Sequence, residues 1–399
     1  MNNKRLRTVI EEALRTAPNF NQSPVDLNIW MYNAHSTSGR ADAHAVQLLD
    51  ALKNEQDLRV FDGSSIHVLS FSAHLAQYWN LGAWLLARAQ SVGSNQALED
   101  LSHYLSTDDV TCEVVVAFCG LEPEGRFDMG RAISFLPWAQ LQNSRQKQSL
   151  LDRTVTSFPF AYPTGALVRE LNTKKSYISQ TEFQQNIAKY TIDSIDTTEI
   201  YDSLMCLAIV QPSSPQVLAS WVSAPSWVPI AAGPTLFPIV DGISPFNKIS
   251  TEGCVQGGEL FKAFCSASPS FQARIRLVLQ RLIRAMRRGS QVDAAIDLGI
   301  SLEALYLNDM KGDRGELSFR LRTRSSRFLG NNAEERKRIF RLMKDAYNLR
   351  SVAVHTGSVD TFDERPVQDV LHDGFLCAAE TVRHFILDGK PDWDKVMFD

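Results

Sequence analysis

The 399-residue sequence predicts a multidomain α+β protein: a helical N-terminal segment, a mixed strand-rich domain, and a C-terminal all-α helical bundle. Three observations predict it. The chain is too long for one small core, so two or three units are expected. The patterning changes near residue 108, from helical periodicity to short β-branched and aromatic runs. It changes again near residue 268, where apolar residues recur at helical spacing through five successive segments.

Residues 1–107 are read as mainly helical. "MNNKRLRTVIEEALRTAP" carries charges through its apolar positions, which suits a helix and not a signal peptide. "VDLNIWMYNAHSTSGRADAHAVQLLDALKNE" ends in a helical register through Val46, Leu48, Leu49 and Leu52. "HVLSFSAHLAQYWNLGAWLLARAQ" is read as a buried helical pair broken at Gly82. Residues 108–267 are read as a strand-rich sensing or regulatory domain. "VTCEVVVAFCGLE" and "GRAISFLPWAQL" flank the turn-like "PEGRFDMG", and "EIYDSLMCLAIVQPSSP" and "TLFPIVDGI" continue the same style. Residues 268–399 form the bundle. Pro269 starts "SFQARIRLVLQRLIRAMRRG", with Ile275, Val278, Leu279, Leu282, Ile283 and Met286 on one stripe and arginines opposite. "QVDAAIDLGISLEALYL", "GELSFRLRTRSSRFLG", "AEERKRIFRLMKDAYNLRS" and "VQDVLHDGFLCAAETVRHFILDG" supply four more helices. Short loops between them predict antiparallel neighbours.

Composition narrows the function. The apolar runs are far shorter than a membrane span, so no membrane partner is expected. Six cysteines without a C-x-x-C pair argue against a zinc module and for reduced thiols in a cytoplasmic setting. Walker, G-x-G-x-x-G and G-x-S-x-G patterns are missing, which disfavours ATP, dinucleotide and α/β-hydrolase roles. The net charge of −4 conceals a basic block: residues 268–356 hold 18 Lys/Arg against 9 Asp/Glu. Such a block is either a phosphate-binding surface or a solvated, arginine-rich helix face.

The stretch "YNLRSVAVHTG" (347–357) holds the candidate chemistry. A guanidinium can clamp a phosphate, and an imidazole can move a proton near neutral pH. Arg350 and His355 together would suit attack of a ribose 2′-hydroxyl on the adjacent phosphodiester, without metal or cofactor. In a regular helix five residues turn two side chains ~140° apart, so the helix is expected to loosen before His355. Val352, Val354 and Gly357 permit this. The other reading is a surface salt bridge at Arg350 and a helix end at His355.

"RLIRAMRRGSQVDAAIDLGISLEAL", "ELSFRLRTRSSRFLG" and "RIFRLMKDAYNLRSVAVHTG" resemble, in order and spacing, the HEPN superfamily in its Apea-like branch. "VVVAFCGLEPEGRFDMGRAISFLPW" resembles the variable strand-rich segment upstream of such bundles. The resemblance implies a bundle that dimerises so that two Arg-x4-His motifs face one cleft. It also implies a metal-independent endoribonuclease, of the kind found in antiviral defence and toxin systems. Arg350 would stabilise the phosphate and His355 would act as general acid/base. Glu303, at an acidic position of the second helix, either orients that pair or joins two helices. Ser351 follows the arginine where many active members carry Asn, Asp or His, so the alternative is a catalytically inactive dimerisation or RNA-binding module. The RNA is the expected substrate, and residues 1–267 are expected to sense a phage-derived trigger.

Other residues keep two readings. Arg320 and Arg324, four apart, either line an RNA cleft or sit solvated or ion-paired. Tyr347 either stacks on a base or belongs to the core. His35, His44, His67, His74 and His103 show no ligand-like spacing, and the tryptophan pair in "SWVSAPSWVP" is either a binding patch or buried packing. A DNA-binding regulator is a further rival, although no helix-turn-helix spacing is evident.

Overall fold

The computed structural model describes residues 3–19, 24–36, 41–69, 72–156, 161–186, 196–229, 235–236, 246–309, 316–359 and 365–398. In chain order, α1 (Asn3–Ala13), α2 (Pro24–His35) and α3 (Ala43–Lys53) precede the hairpin β1 (Asp62–Leu69) and β2 (Ser72–Gln77). Then come α4 (Tyr78–Val92), α5 (Ser94–Ser106), β3 (Asp109–Cys119), β4 (Leu121–Pro123), β5 (Phe127–Gly130) and β6 (Ile133–Pro137). α6 (Arg145–Thr156), β7 (Gly165–Lys174), β8 (Ser176–Ser179), α7 (Gln180–Gln185) and α8 (Thr198–Val210) follow. β9 (Gln216–Ser223), β10 (Thr235–Leu236), β11 (Asn247–Ile249) and α9 (Thr251–Ser266) lead into the last helices. These are α10 (Pro269–Arg287), α11 (Gln291–Tyr306), α12 (Leu317–Leu329), α13 (Ala333–Thr356), α14 (Val367–Asp388) and α15 (Trp393–Phe398).

Contacts divide the chain into two units along lines other than the three sequence segments. One unit comprises Met1–Val114, Glu170–Asp196 and Trp221–Gly233; the other comprises Val115–Arg169, Thr197–Ser220 and Pro234–Asp399. The chain passes between them within β3, β7 and β9.

In the first unit, Leu6, Ile10, Leu48, Leu49, Leu85 and Leu98 are buried where α1, α3, α4 and α5 meet. The Asp42 carboxylate caps α3 by accepting from the His44 and Ala45 amides. The expected helical pair across residues 67–90 is corrected here. Its first half is β1 and β2, paired antiparallel with Ile66 opposite Leu75, and β8 lies on the far side of β1. Short apolar runs do not distinguish strand from helix by period alone. Gly82 does not break α4. A Cβ there would stand 2.4 Å from Met31 Cε, so the glycine lets α2 approach α4.

A six-stranded sheet runs in the order β10-β9-β3-β7-β6-β5, with β5, β6 and β7 joined antiparallel. Val114–Cys119 of β3 are all buried, as suits a continuous apolar run in a strand with neighbours on both sides. The turn from β5 to β6 puts Arg131 and Ala132 at φ of +55° and +58°. One strand-style expectation fails: "EIYDSLMCLAIV" is the helix α8. α9 follows in the same segment, with Ser250 accepting from the Gly253 amide. In α8 Ile200 and every residue from Asp202 to Ile209 are buried, so no polar face is left to display a 3.6-residue period.

The five expected bundle helices form, close to their expected bounds. Ser268 caps α10 through the Phe271 amide with Pro269 in the first turn, and Ser290 and Asn332 cap α11 and α13. α11 is the central helix, packed against α10, α12, α13 and α14. Gly374 of α14 faces Leu298 there, where an added Cβ would stand 3.0 Å away. α8 and α9 also pack on the bundle, α8 through a bidentate pair from Arg276 to buried Asp202 at 2.8 and 2.7 Å. Among the described residues, no helix is long and apolar enough to cross a membrane.

Candidate functional site

α13 carries the Arg-x4-His motif, and its two ends are well specified. Asn332 accepts from the Glu335 amide while the Glu335 carboxylate accepts from the Asn331 amide, a reciprocal cap. The far end closes at Gly357, whose φ is +68° and whose amide donates to the Ala353 carbonyl at 3.0 Å. Thr356 Oγ1 donates to the Val352 carbonyl and accepts from the Ser358 amide.

The helix therefore stays intact through His355, contrary to the loosening expected before it. Val352 and Val354 cost a few tenths of a kcal/mol each in helix propensity, roughly, and a complete C-terminal cap with buried Leu349 and Ala353 outweighs that. Arg350 and His355 accordingly project ~140° apart from one chain.

Arg350 faces α11. Its Nη2 lies 3.4 Å from Glu303 Oε1, and Tyr347 donates its hydroxyl to the same oxygen at 3.1 Å. The guanidinium carbon stands 5.9 Å from the Tyr347 ring centre. Its stem lies on Gly299, where a Cβ would come within 2.2 Å of Arg350 Cγ. Arg350 Nε is buried without a hydrogen-bond partner. The ion pair is about 30% exposed on both sides (29% and 31%), so it contributes ~1 kcal/mol or less. Burial, and then the adjacent Glu303 carboxylate, raise the Tyr347 phenol, which keeps it a neutral donor. Glu303 thus bridges α11 to α13 through its contacts with Arg350 and Tyr347.

His355 is exposed, and its side chain makes no hydrogen bond with the described residues. Lys337, Arg341, Lys344, Ser351 and His355 recur at helical spacing along one side of α13. Lys337 pairs with Glu334 at 2.8 Å, and Arg341 and Lys344 are exposed. Ser351 is half-buried.

The α12 arginines part ways. Arg324 does not line a cleft: it is buried, clamps Asp309 at 2.7 and 3.0 Å, donates to the Tyr306 carbonyl at 2.5 Å and lies over Trp393. Arg320 is half-buried. Arg322 stacks against Phe319 and Phe340. The basic block is thus partly structural, since Arg276 pairs with Asp202 and both Arg281 and Arg288 pair with buried Asp297. Sequence reading missed Asp202, Asp297, Gly299 and Asp309. A buried aspartate is invisible to a charge count, and Gly299 signals only as a glycine inside a helical run.

Elsewhere, His67 is buried with Nε2 2.5 Å from the Tyr104 hydroxyl and its ring stacked on Tyr177. Trp221 is buried, and Trp227 packs on His103. Among the described residues, no group of three His, Cys, Asp or Glu is placed to hold a metal ion.

Comparisons of the chain with models of protein families, with curated proteins and with solved structures return no match.

Proposed function

We propose that the C-terminal bundle is a metal-independent endoribonuclease of HEPN type, cytoplasmic and acting as a toxin-like effector of anti-phage defence. In this reading residues 1–267 sense the trigger. The observation that carries it is the Glu303–Tyr347–Arg350 cluster, in which a carboxylate and a phenol aim one guanidinium from the motif helix. Arg350 would stabilise charge on the phosphodiester as the 2′-oxygen attacks, and His355 would transfer protons to and from the ribose oxygens. The products are a 2′,3′-cyclic phosphate end and a free 5′-hydroxyl. Because the intact helix sets the two side chains ~140° apart, the arginine and histidine at one phosphate come from two copies of the chain.

RNA cleavage in EDTA, with mapping of product ends, tests this. Arg350→Ala and His355→Ala should each abolish cleavage and relieve growth inhibition. Mixing the two inactive variants should restore about a quarter of wild-type activity, because half of randomly formed dimers regain one complete site. Wild-type cleavage by both single variants would remove the assignment.

The intact helix through Thr356 also favours a second reading, a silent dimerisation or RNA-binding module. Cyclic-phosphate products formed in EDTA and lost in Arg350→Ala would exclude it.

A further inference from the structure

A recess in the second unit shares no lining residue with the Glu303–Arg350 cluster. It encloses about 470 Å³ between α8, the start of β9 and α10. That volume lies in the range of small-molecule sites, ~300–1,000 Å³.

α10 presents two stripes. Ile275, Val278, Leu279 and Leu282 are buried in the bundle core. Leu277, Gln280, Arg281, Arg284 and Arg287, at helical spacing on another side, line the recess. Opposite them stand Tyr201, Leu204 and Met205 of α8, with Val217 of β9. The lining includes three arginines and no carboxylate. Arg281 directs Nη1 to Asp297 at 2.7 Å, whereas Arg284 is exposed and forms no ion pair with a described residue. Leu277 is 42% exposed at the wall, a large apolar side chain left facing open space.

The occupant of such a site needs an apolar body and an anionic end. A guanidinium matches a phosphate with paired N–H donors, and the Gln280 amide offers a donor and an acceptor to a heterocycle edge.

We infer that this recess binds a nucleoside phosphate, with its base against Leu204, Met205 and Ile283 and its phosphate on Arg284 and Arg287.

Isothermal titration of the full chain with AMP, GMP, CMP and UMP, beside inorganic phosphate and the free nucleosides, tests it. At least one nucleotide should bind at one per chain, and about tenfold or more tighter than inorganic phosphate or its own nucleoside. Arg284→Glu, an exposed change, should weaken that binding at least about tenfold. Met205→Trp should do the same by filling the space while leaving all three arginines. Because the recess shares no residue with the Glu303–Arg350 cluster, binding lost in Arg284→Glu reports on the recess alone, and its outcome is independent of the nuclease reading. If no nucleotide binds more tightly than inorganic phosphate, or binding survives Arg284→Glu, the inference is overturned.

Discussion

Arg350 holds its position through contacts that a single atom can disturb. A methyl group at Gly299 would fall 2.2 and 2.7 Å from Cγ and Cβ of Arg350, the rigid part of that side chain. Gly299→Ala should therefore destabilise the bundle by about 1–3 kcal/mol, as overpacking does, and lower any RNA cleavage. Urea denaturation beside a cleavage assay reads both, and an unchanged midpoint would show that Arg350 is free to move. Arg324 is the opposite case, an arginine committed to structure. Burial alone would raise the Asp309 carboxyl, but hydrogen bonds from Arg324 hold it below its ordinary value. The stabilisation from a depressed carboxylate is present above its unfolded value, ~3.9, and fades as pH falls through the folded one. Arg324→Met should thus destabilise at neutral pH by about 1–3 kcal/mol, chiefly through the lost charged hydrogen bonds to Asp309 and the Tyr306 carbonyl, and flatten the loss of stability in acid, as thermal melts between neutral and acid pH would show.

At the scale of elements, the end of α13 decides where His355 points. Gly357 closes the helix at φ +68°, a conformation that costs a residue with a Cβ ~1 kcal/mol. Gly357→Ala should lower stability by about that much and speed amide exchange at Val354, His355 and Thr356, with the helix centre unchanged. Equal protection at all three amides would show that the cap does not hold the end. Much of this level is legible in the amino-acid order. Pro269 announces a helix start, and the apolar stripe of α10 appears at 275, 278, 279, 282 and 283. What misleads is burial on every side. α8 has no exposed face to print a period, and the hairpin from Asp62 to Gln77 is too short to assert one.

At the scale of the molecule, the bundle extends beyond the five periodic helices. α8 and α9, earlier in the chain, cover α10 and α14, and Asp202 is buried against Arg276. Arg276→Ala should cost roughly 3–5 kcal/mol in the full chain by leaving that carboxylate unpaired. A fragment of residues 268–399 should bind a hydrophobic dye and melt below the full chain, by calorimetry. A fragment as stable as the parent would make α8 and α9 dispensable.

The amino-acid order by itself determined the late helices, the start at Pro269, a strand through residues 113–119 and the candidate pair Arg350 and His355. Each of these rests on local rules: period, capping chemistry and turn residues within a few positions. Only the tertiary structure decided which arginines are bound to aspartates, that Glu303 and Tyr347 meet Arg350 over Gly299, and that His355 faces away. Those outcomes depend on which surfaces of distant segments meet, and a charge has no partner until the chain that carries the opposite one has packed beside it.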